Sequence, residues 1–324
     1  MHAYWSKKPH DAIDEYIKHH TEPGDIVLDP FCGSGGTVLM ALANGRKGMG
    51  IDLSPVAIFI SRYYCIPPDL EEFKKAYNKL VTKVIPEITW LYETKCERCE
   101  GKTSIAYTVY SSVFRCKGCS NDIPLFDCIT KEVINSTGRP KKIKICPVCL
   151  SKGHIQEISG RTHEKIDVLP VETSYICTNS CKPVRATRRY NDPDIKRQKY
   201  FHEYDLRKIQ EVEEQDIPFW YPKNRMMNIP DGQRRWGVLW RAGTANFEYV
   251  SELFTKRNLW AISSLFNAAG SNDDLKWLVN SAIMALSKKA QHLKGGRGIY
   301  PWSLLYTPAN EGKKCALIII KYSF

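Results

Sequence analysis

The sequence predicts a doubly wound α/β core followed by a cysteine-rich insertion and a helical C-terminal part. Three observations carry that expectation. The stretch "DIVLDPFCGSGGTVLMALANGRKGMGID", Asp25 to Asp52, reads as strand, glycine-rich turn, helix and second strand, the βαβ unit of a parallel sheet. Eight of the twelve cysteines fall in pairs between positions 96 and 181. Two amphipathic helical patterns follow residue 250.

Each element has a local reason. Pro9 stands where a first-turn proline belongs, and Ile13, Tyr16 and Ile17 form a helical face ending at His19-His20. Pro23-Gly24 makes a turn into the short strand "DIVLD", and the loop "PFCGSGG" opens a helix that runs to about Ala43. Asn44-Gly45 ends that helix, "KGMGID" is the next strand, and Ser54 caps another helix beginning at Pro55. Pro67-Pro68 breaks the chain before an amphipathic helix expected from Leu70 to Val84. From Tyr92 to Arg189 the reading is short strands and turns between cysteine pairs, and residues 202–250 are mixed and rich in Trp, Tyr and Arg. A helix near Thr255 carries Leu259, Ile262, Leu265 and Phe266 on one face, and another near Asn272 places Asp273 and Asp274 in its first turn. The expected division is 1–88 as the ligand-binding α/β part, 89–200 as a cysteine-rich insertion and candidate nucleic-acid-recognition region, and 201–324 as a mixed and helical part.

Composition is that of a globular chain of 324 residues, 43% hydrophobic and 25% charged. No apolar run approaches the ~18 residues of a membrane span, and the Met-His-Ala-Tyr-Trp start lacks the apolar core of a signal peptide. A cytoplasmic, reducing setting is expected, in which paired thiolates favour metal over disulfides. Net charge is +12 with a pI near 9.0. Between Lys182 and Lys199 seven Lys or Arg (182, 185, 188, 189, 196, 197, 199) face only Asp192 and Asp194, a stripe suited to a phosphate backbone.

The glycine-rich turn selects among nucleotide cofactors. A dinucleotide fingerprint wants G-x-G-x-x-G; Gly33 and Gly35 fit, but Val38 takes the last position, and no Lys-Ser or Lys-Thr pair makes a P-loop. Asp29 at the turn would repel a pyrophosphate and attract the ammonium and sulfonium of S-adenosylmethionine. Asp52, ending the next strand, suits the ribose hydroxyls. Cys32 reads as a small filler.

"DPFCGSGGT" resembles motif I of the DNA methyltransferases that modify exocyclic amines, giving N6-methyladenine or N4-methylcytosine. The preceding "HAYWSKKPHDAIDEYIKHHTEPGDIVLD" resembles their motif X, and "GIDLSPVA" their motif II. Later segments, "FTKRNLWAISSLF" and "YPWSLLYTPANEG", are similar to a subfamily of large bacterial and archaeal methylases with inserted zinc-ribbon-like regions. The resemblance implies a Rossmann-like S-adenosylmethionine-dependent methyltransferase core in a prokaryotic cell, with DNA as partner. Asp29, Pro30, Phe31, Gly33, Ser34 and Gly35 would line the methionine side, Asp52 would hold the ribose and Leu53 would pack on adenine. Lys8 and Pro9 would shape the methionine pocket.

Cys96-x2-Cys99 and Cys116-x2-Cys119 stand 16 residues apart, a zinc-ribbon spacing, and Cys146-x2-Cys149 with Cys177-x3-Cys181 form a second set. Two structural zinc ions are expected, because four thiolates leave no open position for chemistry. Arg225, Arg234, Arg235 and Arg241 among Trp220, Tyr221, Trp236 and Trp240 suit nucleic-acid contact and ordinary packing equally well.

Amine methylation in this family needs a clamp: Asp, Asn or Ser, then Pro-Pro and an aromatic, to hold the target nitrogen and stack on the flipped base. No such tetrapeptide occurs. Ile66-Pro67-Pro68-Asp69 and Asn191-Asp192-Pro193-Asp194 are partial matches, so no catalytic residue is assigned. The expectation is a truncated core, or one whose clamp a second chain supplies. A non-catalytic nucleic-acid-binding module and an RNA methyltransferase are the rival readings.

Overall fold

A computed structural model describes residues 7–135, 138–160, 162–225 and 249–288, with short strands at 290–291, 300–301 and 313–316. Two compact units result: Met1–Lys83 with Ala268–Ala282, and Val84–Asn267 with Ile283–Phe324. Among the described residues no helix is long and apolar enough to cross a membrane. Arg234, Arg235, Arg241, Trp236, Trp240 and most of "YPWSLLYTPANEG" lie outside the described residues.

The first unit is built on a βαβ turn. Helix α1 (His10–His20) precedes strand β1 (Ile26–Asp29), helix α2 (Gly36–Ala43), strand β2 (Lys47–Gly50) and helix α3 (Pro55–Cys65). The strands pair in parallel, Ile26 beside Lys47 through Asp29 beside Gly50, so both acid-bearing strand ends open on the same side. The glycines of β2 let α2 lie close: a Cβ at Gly48 would stand 2.8 Å from Val38 Cγ1, and one at Gly50 2.9 Å from Val38 Cγ2. Ser54 caps α3 as expected, its Oγ accepting the Ala57 N–H at 3.4 Å with Pro55 at the first position.

Helix α4 (Leu70–Tyr92) outruns its expected end at Val84 and carries Pro86 within it. Phe73, Tyr77, Leu80, Val84, Ile88 and Leu91 are all buried at helical spacing, and that continuous stripe outweighs the hydrogen bond lost at the proline.

The second unit is a mainly antiparallel sheet with helices. Its strands are β3 (Glu93–Lys95), β4 (Lys102–Arg115), β5 (Asp122–Pro124), β6 (Ile129–Ile134), β7 (Pro140–Ile145), β8 (Lys165–Ile176) and β9 (Arg185–Arg189), with a short helix α5 (Pro147–Ser151). Strands β10 (Ala290–Gln291), β11 (Tyr300–Pro301) and β12 (Lys313–Ala316) extend the order to β11-β10-β12-β4-β8-β9, while among the described strands β6 and β7 form a separate two-stranded sheet. Helix α6 (Ile195–Tyr200) runs through one π-type stretch into α7 (Arg207–Glu214), and α8 (Lys256–Ala269) follows; α9 (Asp273–Leu286) belongs for most of its length to the first unit. Thr255 and Asn272 cap the last two, accepting the N–H groups of Asn258 and Leu275.

The expectation of only short strands was wrong for β4 and β8, which run 14 and 12 residues. Within β4, Ser111 is buried and its Oγ accepts the Phe126 N–H at 3.0 Å. A buried serine continues a strand when its hydroxyl has a partner.

Candidate cofactor pocket and two cysteine clusters

A cavity of about 480 Å³ opens at the carboxyl ends of β1 and β2, lined by Lys7, Lys8, His10, Ile13, Asp29, Phe31, Cys32, Gly33, Ser34, Gly36, Thr37 and Asp52. This is where an open α/β sheet binds its ligands. The carboxylates shape the loop. Asp29 Oδ1 accepts the Phe31 N–H at 3.0 Å. Asp52 Oδ2 accepts the Gly33 N–H at 2.9 Å and Oδ1 the Ser54 N–H at 2.8 Å. These backbone donors, Ser54 first and then Gly33, hold the Asp52 carboxyl below its ordinary range.

Of the ten residues expected here, Lys8, Asp29, Phe31, Gly33, Ser34 and Asp52 line the cavity, and Pro9, Pro30, Gly35 and Leu53 do not. Pro9 sits at the N-terminus of α1. Gly35, at φ +80°, faces α3: a Cβ there would collide with the Ser61 side chain and approach its Cα to 3.0 Å. Phe31 and Leu53 are 87% and 100% exposed, large apolar groups beside a polar cavity. Cys32 is buried, and burial pushes its thiol pKa up, as suits a filler. The sequence reading missed His10, Ile13 and Thr37. The signal was the i, i+3 spacing of His10 and Ile13 on α1, which turns both toward the glycine loop.

The eight paired cysteines form two groups, but not the two expected. Cys96, Cys99, Cys177 and Cys181 come together, as do Cys116, Cys119, Cys146 and Cys149, the ligand atoms of each group within 4.8 Å of one another. Pairing the 96/99 knuckle with 116/119 is therefore corrected, and with it the pairing of 146/149 with 177/181. Strand β4 lies between the first two knuckles, and its 14 extended residues hold them roughly 45 Å apart. Strand β8 runs antiparallel to β4, Ser104 beside Ile176, and so returns Cys177 to the first knuckle.

Both groups have the donor chemistry and spacing of a tetrathiolate metal site. Sulfur-to-sulfur distances of 3.7 Å join Cys99 to Cys177, Cys116 to Cys149 and Cys119 to Cys146. A tetrahedral ion with metal–sulfur bonds of about 2.3 Å requires about 3.8 Å. The 96/99 and 116/119 knuckles share one geometry, the N–H of Glu100 and Ser120 donating to the Cys96 and Cys116 carbonyls and both residues at φ 59°. Four crowded thiols do not all ionise unaided. The Gly101 N–H draws Cys99 down to about 7, whereas burial and then the neighbouring sulfurs push Cys149 up to about 12. A bound cation removes that conflict.

The basic stripe is also revised. Arg188 is fully buried, donating through Nε to Asp205 Oδ2 at 2.7 Å, through Nη1 to the Lys95 carbonyl at 2.6 Å, and pairing with Glu97 at 3.3 Å. Burial opposes its charge and the Asp205 carboxylate outweighs that effect. Arg189 pairs with Glu172 and Lys199 with Glu203, while Lys182, Arg185 and Lys196 remain exposed. Strand parity decides this, since positions 185, 187 and 189 face solvent and 186 and 188 the interior. Arg188→Ala is expected to cost about 3–5 kcal/mol by leaving Asp205 and Glu97 buried without their cation. Arg185→Ala should stay within about 0.5 kcal/mol. Urea unfolding of both variants checks this, and equal midpoints would remove Arg188 from the core.

An acid–glycine loop between parallel strands, with a second acid at the next strand end, defines an α/β ligand-binding unit. Residues 2–62 match the family described as DNA methylase, of N6 and N4 type. It is 31% identical over 83 residues to the type II methyltransferase M.MjaII of Methanocaldococcus jannaschii, covering 26% of this chain and 16% of that protein. Two Escherichia coli K12 proteins also match. The putative methylase YubD is 46% identical over 48 residues, 15% of this chain and 21% of its own length. The DNA adenine methyltransferase YhdJ is 45% identical over 49 residues, 15% and 17% respectively. The chain thus spans no more than about a fifth of the length of these relatives.

Proposed function

We propose that this chain binds S-adenosylmethionine in the cavity at Asp29 and Asp52 and serves methyl transfer to an exocyclic amine of adenine or cytosine in DNA. The observation that carries the reading is the cavity itself, an acid-lined glycine loop within the segment that matches the DNA methylase family. Asp29 would attract the ammonium and sulfonium, and Asp52 keeps lone pairs for the ribose after accepting its two N–H groups. Phe31 and Leu53 offer apolar surface for the adenine. The two cysteine groups would each hold one structural zinc, making 96–181 a metal-braced region that carries basic surface.

A clamp for the target base is absent from the 324 residues, so it would come from further polypeptide. The exposed apolar side chains of the parallel pair support this: Ile26, Leu28 and Met49 are 63%, 53% and 52% exposed, whereas parallel sheets are ordinarily covered on both faces.

Isothermal calorimetry with S-adenosylmethionine tests the cofactor reading. Binding is expected, with Asp52→Ala weakening it by roughly 1–3 kcal/mol, as for hydrogen bonds to a charged group. Because the Asp52 carboxyl titrates below its ordinary range, its contribution is complete above about pH 5 and fades only as pH falls through that lowered value. The Asp52 effect should therefore be constant from about pH 5 to 8. Unchanged affinity in a folded Asp52→Ala variant would remove Asp52 from the site, and no binding by the parent chain would reject the cofactor.

A further inference from the structure

We infer that the β6–β7 hairpin is a groove-reading ribbon for duplex DNA, an inference that rests on the DNA reading above. Strands β6 and β7 pair along their whole length, from Ile129 beside Ile145 to Ile134 beside Pro140; among the described residues their further backbone pairing is at the root, where Ile145 bridges to Glu157 and the Lys144 carbonyl accepts the Ile158 N–H at 2.7 Å. Their root is fixed: Ile143, Ile145 and Cys128 are buried, and Cys146, the next residue after β7, belongs to the second cysteine group. Their outer part is open, with Ile134 77% exposed near the tip.

Charge and shape select the occupant. Residues 129–145 carry Lys131, Arg139, Lys141, Lys142 and Lys144 against Glu132 alone. Lys141 pairs with Glu157 and Lys144 donates to Thr130. Among the described residues Lys131, Arg139 and Lys142 form no ion pair. Cross-strand neighbours share a face, so Thr130, Glu132, Ile134, Pro140, Lys142 and Lys144 form one side of the ribbon, and Lys131 and Lys141 share the other with Ile129, Val133 and the buried Ile143 and Ile145. The apolar face packs inward at the root, and the opposite face, with Thr130, Glu132, Lys142 and Lys144, is open to solvent and bears the cations a phosphate backbone would meet. Six paired residues span about 20 Å. The major groove, about 12 Å wide and 8.5 Å deep, admits a two-stranded ribbon. Arg139, beside the tip turn, is placed to meet base edges, and Lys131 and Lys142 the flanking phosphates.

Fluorescence anisotropy with a mixed-sequence 30-base-pair duplex over a salt series tests this on the full chain. Against the parent, the triple variant Lys131→Ala, Arg139→Ala, Lys142→Ala is expected to lose on the order of tenfold in affinity. The slope of log affinity against log salt should fall by about one for each lost phosphate contact. Methyl green, which occupies the major groove, should displace the parent protein, and the minor-groove ligand netropsin should not. Unchanged zinc content and S-adenosylmethionine affinity show that the variant is folded; if it loses zinc, Lys142→Gln alone carries the test, with a slope change of about one. A parent that binds duplex with a variant of equal affinity and slope overturns the ribbon and leaves the DNA reading standing, as does displacement by netropsin alone. A parent that binds no duplex overturns both.

Discussion

Replacing Cys116 and Cys146 together is expected to remove one zinc ion per chain, and replacing Cys96 and Cys116 together to remove both. Purified under reducing, metal-replete conditions, the parent chain should carry two. The single variants Cys116→Ser and Cys146→Ser should each lose the same ion, because their sulfurs belong to one group, while Cys96→Ser and Cys177→Ser should each lose the other. The effect on structure is large. Binding to a structural tetrathiolate supplies an apparent 10–16 kcal/mol, on the order of that of zinc-finger peptides, and here it replaces the small hydrophobic core that Phe114, Ile123, Leu125 and Ile158 form around the second group. Limited proteolysis should therefore open residues 116–158 in Cys116→Ser, with 7–65 still protected. Elemental analysis decides the pairing: if Cys96→Ser, Cys116→Ser retains one ion and Cys116→Ser, Cys146→Ser retains none, the sequential pairing stands. A parent chain free of zinc would reject both sites.

No detectable methylation of DNA is expected from residues 1–324 alone. In-line transfer needs the methyl carbon and target nitrogen about 3–3.5 Å apart with the lone pair aligned, and well-oriented reactants gain roughly 7–11 kcal/mol over free ones. In the proposed reading the cavity at Asp29 and Asp52 orients the donor. Nothing in the sequence supplies the polar group, prolyl carbonyl and stacking aromatic that would seat a flipped base. Tritiated methyl transfer to mixed-sequence DNA, with and without a polypeptide bearing the Asp-Pro-Pro-aromatic clamp, measures this. Activity is expected only with the clamp present. Robust transfer by the chain alone would mean that another residue seats the base, with Asp69 and Asp192 the first to replace.

The cofactor loop was legible because its determinants are local. Asp29 ends β1, Gly33 lies in the turn into α2 and Asp52 stands two residues past β2, so a short stretch encodes both the parallel pair and the acids beyond its ends. The cap at Ser54 and the helix starts near Thr255 and Asn272 were legible for the same reason, each depending on an N–H three residues away. Gly35 was placed on the methionine side by the family resemblance. Its requirement comes instead from Ser61, on a helix 26 residues further along the chain.

The cysteine knuckles and the basic stripe show where local reading stopped. Each Cys-x2-Cys pair sets its own geometry, since two sulfurs three residues apart on a tight turn face one ion wherever the turn sits. Which two knuckles meet is a property of strand length and pairing: β4 keeps sequence neighbours apart, and the antiparallel return of β8 and of the β6–β7 hairpin brings distant ones together. Arg188 and Arg189 are chemically identical neighbours, yet the two-residue period of β9 buries one against Asp205 and leaves the other at the surface beside Glu172. Chemistry carried by adjacent residues was therefore readable from the chain. Partnership across the sheet was decided by the register of its strands, which depends on packing that no short stretch encodes.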